Sequence, residues 1–444
     1  ARGVVCRHQR HRVFGNVLAR GAREHPVAGP GGNRRGLGPP LPEAVSVASF
    51  TPAARVAALP VNFWGGMDRE IARLSAEPGP AVIDVSKGNP DQPTPEHIVA
   101  AMQREVADPR NHRYPSYAGR PSIRDGVALR YREDHGVAVD PETEVAIFHG
   151  AHEGFMAAVL AIADPGTNVV LPDPGYPIYT SAADLAGASV VPIPLEEPHY
   201  QPDFAALADV SAASVLVLNY PNNPTGALAS RATFEGAIAF AERTGAAFVH
   251  DFAYSSLGFD GNRPLSALSV DRDSAATVEV QTLSKTYSMA GWRVGFAAGN
   301  ASVIAAMKLY QSHAFSTMFG ATQEAAGAAL AGDQSVAADL VALYERRRDV
   351  VVEGLRRIGE RLGLTEEVSH LERVLKRVDD RYLLSSAGRP PLERGDRALR
   401  VTDPEDRPRP PAEYRLAGRA LEAERELPHC EQETGILVVQ ADGG

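Results

Sequence analysis

Between about Val56 and Gly359, short apolar runs alternate with segments of helical texture, and this alternation limits the fold more than any other feature of the chain. Val145–Phe148, Asn168–Leu171, Ser189–Pro192, Ser214–Leu218, Ala247–His250, Thr277–Val280 and Val294–Ala297 read as buried strands. Gly, Pro or Asp punctuates most of them. Gly154–Ala163, Arg231–Thr244 and Ser302–Gln311 read as helices. Strands buried on both faces need helices above and below. The pattern therefore predicts an α/β fold with a large, open, mostly parallel sheet and helices on both faces. Ligands of such sheets bind beyond the carboxyl ends of the strands, so the chemistry is sought there.

The flanks differ in texture. Residues 1–55 form an Arg/Gly/Pro-rich leader without the apolar core of a signal peptide, and read as disordered or translated upstream sequence. Residues 56–320 hold the N-terminal segment and the large domain. Residues 321–360 read as linking helices toward a smaller C-terminal part, with Glu345, Arg346, Arg347 and Arg348 on a solvated face. Leu364, Val368, Leu371, Leu375 and Val378 fit one amphipathic helix. Past Leu383 the chain is rich in Arg, Glu and Pro, and 361–444 reads as a divergent charged tail.

Bulk properties exclude several classes. A net charge of −10 disfavours nucleic acid as a partner, and no helix-turn-helix precedes the α/β region. No apolar run is long enough to span a bilayer. The cysteines, Cys6 and Cys430, have neither metal nor redox spacing, which fits a reducing, cytoplasmic setting.

Four motifs fall at strand ends. Thr282 to Gly295 follows the strand Val278–Gln281 and contains Lys285 and Arg293. A lysine fenced by small polar groups just past a buried strand is a candidate nucleophilic amine, provided burial or a neighbouring cation keeps it neutral. Eight residues on, Arg293 can return to the same place with a forked donor for phosphate. Val249-His-Asp251-Phe-Ala-Tyr254 follows another strand; alone, its Asp reads as a helix cap. Asn219-Tyr-Pro-Asn-Asn223-Pro-Thr-Gly226 has the composition of a turn. Phe148-His-Gly150-Ala151-His152-Glu-Gly joins a strand to a helix, a natural phosphate cradle through free N–H groups and the helix dipole. His149 and His152 lack a third ligand for a metal.

The lysine string closely resembles the signature of the class I/II aminotransferases, the fold-type I enzymes that use pyridoxal 5′-phosphate (PLP), with Thr282 where the family has Gly or Ser. The resemblance implies that Lys285 carries PLP as a Schiff base, that Asp251 pairs with the ring nitrogen and that Tyr254 and Asn223 bond the ring oxygen. It also implies that Gly150, Ala151, His152, Thr282 and Arg293 hold the phosphate end. Pro172-Asp-Pro-Gly-Tyr176-Pro-Ile-Tyr179 matches a family string whose first aromatic lies on the ring, here Tyr176. Tyr114, with Tyr117 as an alternative, matches a tyrosine that reaches the neighbouring subunit's phosphate, implying a homodimer with shared sites. Gly88-Asn-Pro-Asp91 resembles a loop whose Gly approaches the substrate carboxylate, which Asn223 also meets.

The implied reaction is ping-pong transfer of an amino group from an amino acid to a 2-oxo acid. The resemblance runs from about Val56 to Ile358. It supplies no match for the arginine that clamps the substrate carboxylate in the family, and the context of Arg400 is wrong for it. A C–S β-lyase on the same scaffold stays an alternative, because the motifs fix the cofactor better than the outcome, and so does an inactive PLP-binding remnant, because the C-terminal part departs from the family.

Overall fold

Every apolar run read as a strand is one, with ends shifted by up to a few residues. A computed structural model describes residues 50–362, apart from 61–62, 78–81, 83 and 85–87. The leader up to residue 49, the helix expected on Leu364–Val378, the Pro-rich run past Leu383 and Arg400 lie outside the described residues. The chain divides into two units after Thr51, and every element below belongs to the second.

Among the described residues, one sheet contains β1 (Val145–Phe148), β2 (Asn168–Asp173), β3 (Ser189–Glu196), β4 (Gln201–Pro202), β5 (Val215–Asn219), β6 (Ala247–Asp251), β7 (Thr277–Thr282) and β8 (Gly295–Gly299). Their order is β1-β8-β7-β6-β5-β2-β3-β4. From β7 through β6, β5 and β2 to β3, neighbours run parallel. β8 runs against both β7 and β1, and short β4 runs against β3. The two reversals leave β1 pointing the same way as β7. The carboxyl ends of β1, β7, β6, β5 and β2 therefore share one edge of the sheet, where β8 begins.

The helices are α1 (Ala54–Ala57), α2 (Phe63–Ala76), α3 (Glu96–Val106), α4 (Pro121–His135), α5 (Ala151–Ile162), α6 (Ile178–Ala186), α7 (Arg231–Thr244), α8 (Leu283–Thr286), α9 (Ala301–Ala314), α10 (Gly320–Ala331) and α11 (Ser335–Leu362). Strand alternation sorts the core into layers. Val215, Val217, Val249, Val278 and Val280 pack beneath Phe155 of α5, Tyr179 of α6 and Met307 of α9. Leu216, Leu218 and Phe248 face the other way, against Phe234 and Ile238 of α7. Ile98 of α3, Ile123 of α4 and Ala325 of α10 close the β1–β8 end. The expected sheet with helices on both faces is the observed one. The bounds of α7 match the sequence reading residue for residue, because both stops are local. Ser230 and Thr233 form a capping box, and Gly245 ends the helix at φ 75°.

Two sequence readings change. β3 continues past Pro192 to Glu196, since it has only the two-residue β4 on its outer side and can tolerate prolines there. The basic run on α11 is not one solvated face. Arg346 is exposed, but Arg348 is only 4% exposed and forks onto Asp260 at 2.8 and 2.9 Å. Consecutive helical residues point about 100° apart, so three of them cannot share a face.

A buried polar knot lies under β6 and β7. Glu279 accepts hydrogen bonds from His250 Nδ1 (2.8 Å), Ala267 N (2.6 Å), Tyr131 Oη (2.9 Å) and Ser266 Oγ (2.9 Å). His250 Nε2 lies 2.9 Å from the Tyr220 carbonyl, so the ring meets an acceptor at each nitrogen. Burial alone would push the Glu279 carboxyl up, but the hydrogen bond and charge of His250 outweigh it and hold the group below the usual carboxylate range. Because folding lowers this pKa, the stabilisation is complete above the ordinary carboxylate range and fades as pH falls through the lowered value. Glu279→Gln should therefore cost about 3–5 kcal/mol in urea unfolding at neutral pH, and the gap to wild type should shrink as the medium is acidified. Equal stability at neutral pH would show that the knot does not hold the two strands.

Candidate active site

The site is built from strand ends. β7 stops at Thr282, which caps the single turn of α8: its Oγ1 accepts from Ser284 N at 3.1 Å and donates to the Val294 carbonyl at 2.9 Å. That cap fixes the turn carrying Lys285. The Lys285 amine donates to the Gly88 carbonyl at 2.8 Å, so the Gly88-Asn-Pro-Asp91 loop comes from far along the chain to meet it. The chain then turns back through Ser288 (φ 51°) and Arg293 (φ 55°), both left-handed, and enters β8. Non-glycine residues hold that conformation only where surroundings enforce it. Here the turn brings the Arg293 guanidinium back to the head of α5.

At that head, Gly150 has φ 87° and caps α5 without a side-chain hydrogen bond. A Cβ on Gly150 would lie 2.5 Å from Arg293 Nη2. A Cβ on Gly295 would lie 2.4 Å from the Gly150 carbonyl carbon and 2.5 Å from Ala151 N. Glycine is therefore required at both positions for the arginine and the β8 backbone to close on the turn. The outcome is a helix N-terminus facing a guanidinium, an anion site by charge and by donors. Burial, then the charge of Arg293, pushes the His152 imidazole below its usual range, so it adds no second cation. Its neighbour His149 behaves oppositely: the hydrogen bond that its Nδ1 donates to Glu153 at 3.0 Å raises it.

Across the cavity, Asp251 ends β6. Its Oδ2 accepts from Tyr179 Oη at 2.7 Å and its Oδ1 from Ala253 N at 3.1 Å. Asn219, at the same level on β5, donates from Nδ2 to the Asp251 carbonyl at 2.9 Å and accepts from Asn223 N at 2.6 Å. One amide thus ties two of the sequence motifs together.

Gly88, Ala151, His152, Tyr176, Asn223, Asp251, Tyr254, Thr282, Lys285 and Arg293 line one cavity of about 250 Å³. Gly150 stands behind it as the helix cap. Tyr114, 94% exposed, is not among the residues that line it. Larger hollows of about 530 and 500 Å³ exist, but Lys285, Asp251 and Arg293 line neither, so chemistry rather than volume selects the site. Tyr179 and Asn219 were given no role from sequence. Tyr179 lies in the first turn of α6, just past Tyr176, but nothing local indicates a partner 72 residues away.

The family model for aminotransferase class I and II matches residues 80–373. A Bacillus subtilis protein named L-glutamine–4-(methylsulfanyl)-2-oxobutanoate aminotransferase is 46% identical over 304 residues, covering 68% of this chain and 76% of its own length. An LL-diaminopimelate aminotransferase of Desulforudis audaxviator is 42% identical over 317 residues, covering 71% and 81%. Among solved structures, substrate-bound BacF of Bacillus subtilis aligns with a TM-score of 0.66 at 36% identity, covering 70% of this chain and 78% of that one.

The anion site makes a direct prediction. Arg293→Gln removes a charged donor and leaves the helix N-terminus intact. It should weaken inorganic phosphate binding, read by calorimetric titration, by roughly tenfold or more. Unchanged affinity would mean that the phosphate end lies elsewhere.

Proposed function

The chain belongs to the class I and II aminotransferase family, enzymes that move an amino group from an amino acid to a 2-oxo acid, and from that premise we propose that it works with PLP attached to Lys285 in the strand-end cavity. One observation carries the proposal: an amine, a carboxylate and a guanidinium, from Lys285, Asp251 and Arg293, line a single cavity. PLP presents an aldehyde, a basic ring nitrogen and a phosphate, which are the complements of those three groups. The glycine-lined turn at the head of α5, closed by Arg293, fits the phosphate.

When bound, PLP supplies an electron sink for the electron pair left on the substrate α-carbon. The residues do the rest. Asp251, steadied by Tyr179 and the Ala253 N–H, keeps a proton on the ring nitrogen by opposite charge. Asn223 and Tyr254 donate to the ring oxygen, and the Tyr176 ring covers one face of the cavity. The N–H groups of Ala151 and His152, with Gly150 and Thr282 shaping the turns, hold the phosphate beside Arg293. Once the substrate's amino group has displaced it, the freed amine of Lys285 would remove the substrate α-proton and deliver it to the carbon on the far side of the transferring nitrogen, acting as base and then acid. Gly88 and Asn223 receive the substrate carboxylate. The second half-reaction uses the same groups in reverse, after the first 2-oxo acid has left.

We further propose a homodimer in which exposed Tyr114 is presented to the partner's phosphate. Among the described residues, no helix is long and apolar enough to cross a membrane. The relatives' names support transfer over β-elimination. They also set the first substrates to try: glutamine with 4-(methylsulfanyl)-2-oxobutanoate, then LL-diaminopimelate.

Reductive trapping tests the attachment. The full chain is incubated with PLP, reduced with borohydride and digested, and the peptides are weighed. The reduced cofactor should sit on the Lys285 peptide and vanish in Lys285→Arg. Its appearance on Lys87, Lys308 or Lys376, or on no lysine, would overturn the assignment.

A further inference from the structure

Arg347 of α11 forks onto Asp91, with Nη1–Oδ1 and Nη2–Oδ2 both at 2.8 Å. The pair is well shielded, at 21% and 13% side-chain exposure. The Asp91 carboxyl is held below its usual range: burial raises it, but the Arg347 hydrogen bond, with Gln92 and the Arg347 charge, outweighs that. Asp91 closes the same loop whose Gly88 carbonyl accepts from the Lys285 amine. Only Asn89 and Pro90 separate the two, and the proline restricts the link. A few residues on, Thr94 Oγ1 donates to the Ser288 carbonyl at 2.8 Å. The loop therefore grips the lysine segment at two points and α11 at a third. A bidentate Arg–carboxylate pair fixes orientation as well as distance, so the third point constrains the first.

The neighbouring arginine provides an internal comparison. Arg348 makes an equal fork to Asp260, beyond Tyr254, in a cluster where Tyr254, Leu257 and Phe259 pack on Leu340 and Tyr344. Two forked ion pairs thus anchor one helix to two different walls, with the Asp260 carboxylate 63% exposed against 13% for Asp91. The Asp91 pair leads through the Gly88 carbonyl to the lysine amine itself, whereas the Asp260 side touches the lysine turn at Thr286, through Ser256 at 2.8 Å.

We propose that Asp91 and Arg347 form a positioning pair for amino transfer, setting the Lys285 amine by way of the Gly88 carbonyl. The catalytic consequence rests on Lys285 being the reactive amine. The placement of that amine is a property of the chain itself and is testable without cofactor.

The test is trace acylation of the full chain, freed of PLP, with acetic anhydride. Labelling of Lys285 is read by mass spectrometry relative to Lys308 in the same digest. Freed from its carbonyl, Lys285 should label roughly threefold faster or more in Asp91→Asn, and likewise in Arg347→Gln. Asp260→Asn loosens the same helix at its other fork and should leave the ratio at the wild-type value. Thermal melts ensure that labelling is done on folded protein, and the variants on either side of the pair back each other up. An unchanged ratio in the folded Asp91 and Arg347 variants overturns the proposal. So does an equal rise in Asp260→Asn, which marks general loosening of α11. A labelling shift with no cofactor trapped on Lys285 would instead sink the PLP reading and leave the positioning pair standing.

Discussion

The parallel register of β5, β6 and β7 places Asn219 opposite Asp251, and Asp251 opposite Val280, two residues before the strand end that leads to Lys285. Everything in the site depends on that alignment. Side chains alternate faces along a strand, so a slip of one residue would send Asp251 to the α7 side and bring His250 to the cavity. The pairing of His250 with Glu279 opposes such a slip. They are register partners on adjacent strands and meet at 2.8 Å with no solvent exposure. Moving either would leave a buried carboxylate without its donors, among the costliest changes a core can undergo. Structural polarity on one face of the sheet thereby protects chemical polarity on the other.

The cavity is also lined by both charges. Arg293 and the head of α5 bring positive charge to its lining and Asp251 brings negative charge, with the Lys285 amine on the same cavity. The left-handed turn at Arg293 and the close approach of Gly295 to Gly150 show how the positive part of the lining is assembled. A backbone conformation that L-residues avoid is held there by packing, and its result is a guanidinium facing free N–H groups. A donor array arranged in advance needs no rearrangement when an anion arrives.

Much of this was legible in the sequence because it is local. A buried run, a following turn and a reactive side chain lie within a few residues of each other for Lys285, Asp251, Asn223 and Gly150, and the string Thr282–Gly295 carried the family resemblance. The unreadable parts are pairings across the chain. Tyr179 meets Asp251 at a separation of 72 residues, His250 meets Glu279 at 29, and Asp91 meets Arg347 at 256. Periodicity tells which face a residue occupies and says nothing about its partner. The basic run on α11 failed for the same reason: charge suggested solvent, but loop and helix packed together and paired Arg347 and Arg348 with aspartates. The tail, where the sequence offers no match for the family's carboxylate clamp, lies outside the described residues.

The central claim is that these strand ends assemble a site that transfers nitrogen rather than releasing it. Its most direct measurement follows the nitrogen atom. The full chain with PLP is given an ¹⁵N-labelled amino donor such as glutamine labelled at its α-amino group, together with a 2-oxo acid, and the products are weighed. The account predicts label in the amino acid formed from the 2-oxo acid, with none released as ammonium and, when the acceptor is left out, no turnover beyond about one equivalent of label held per site. Label appearing as ammonium without an acceptor would contradict it.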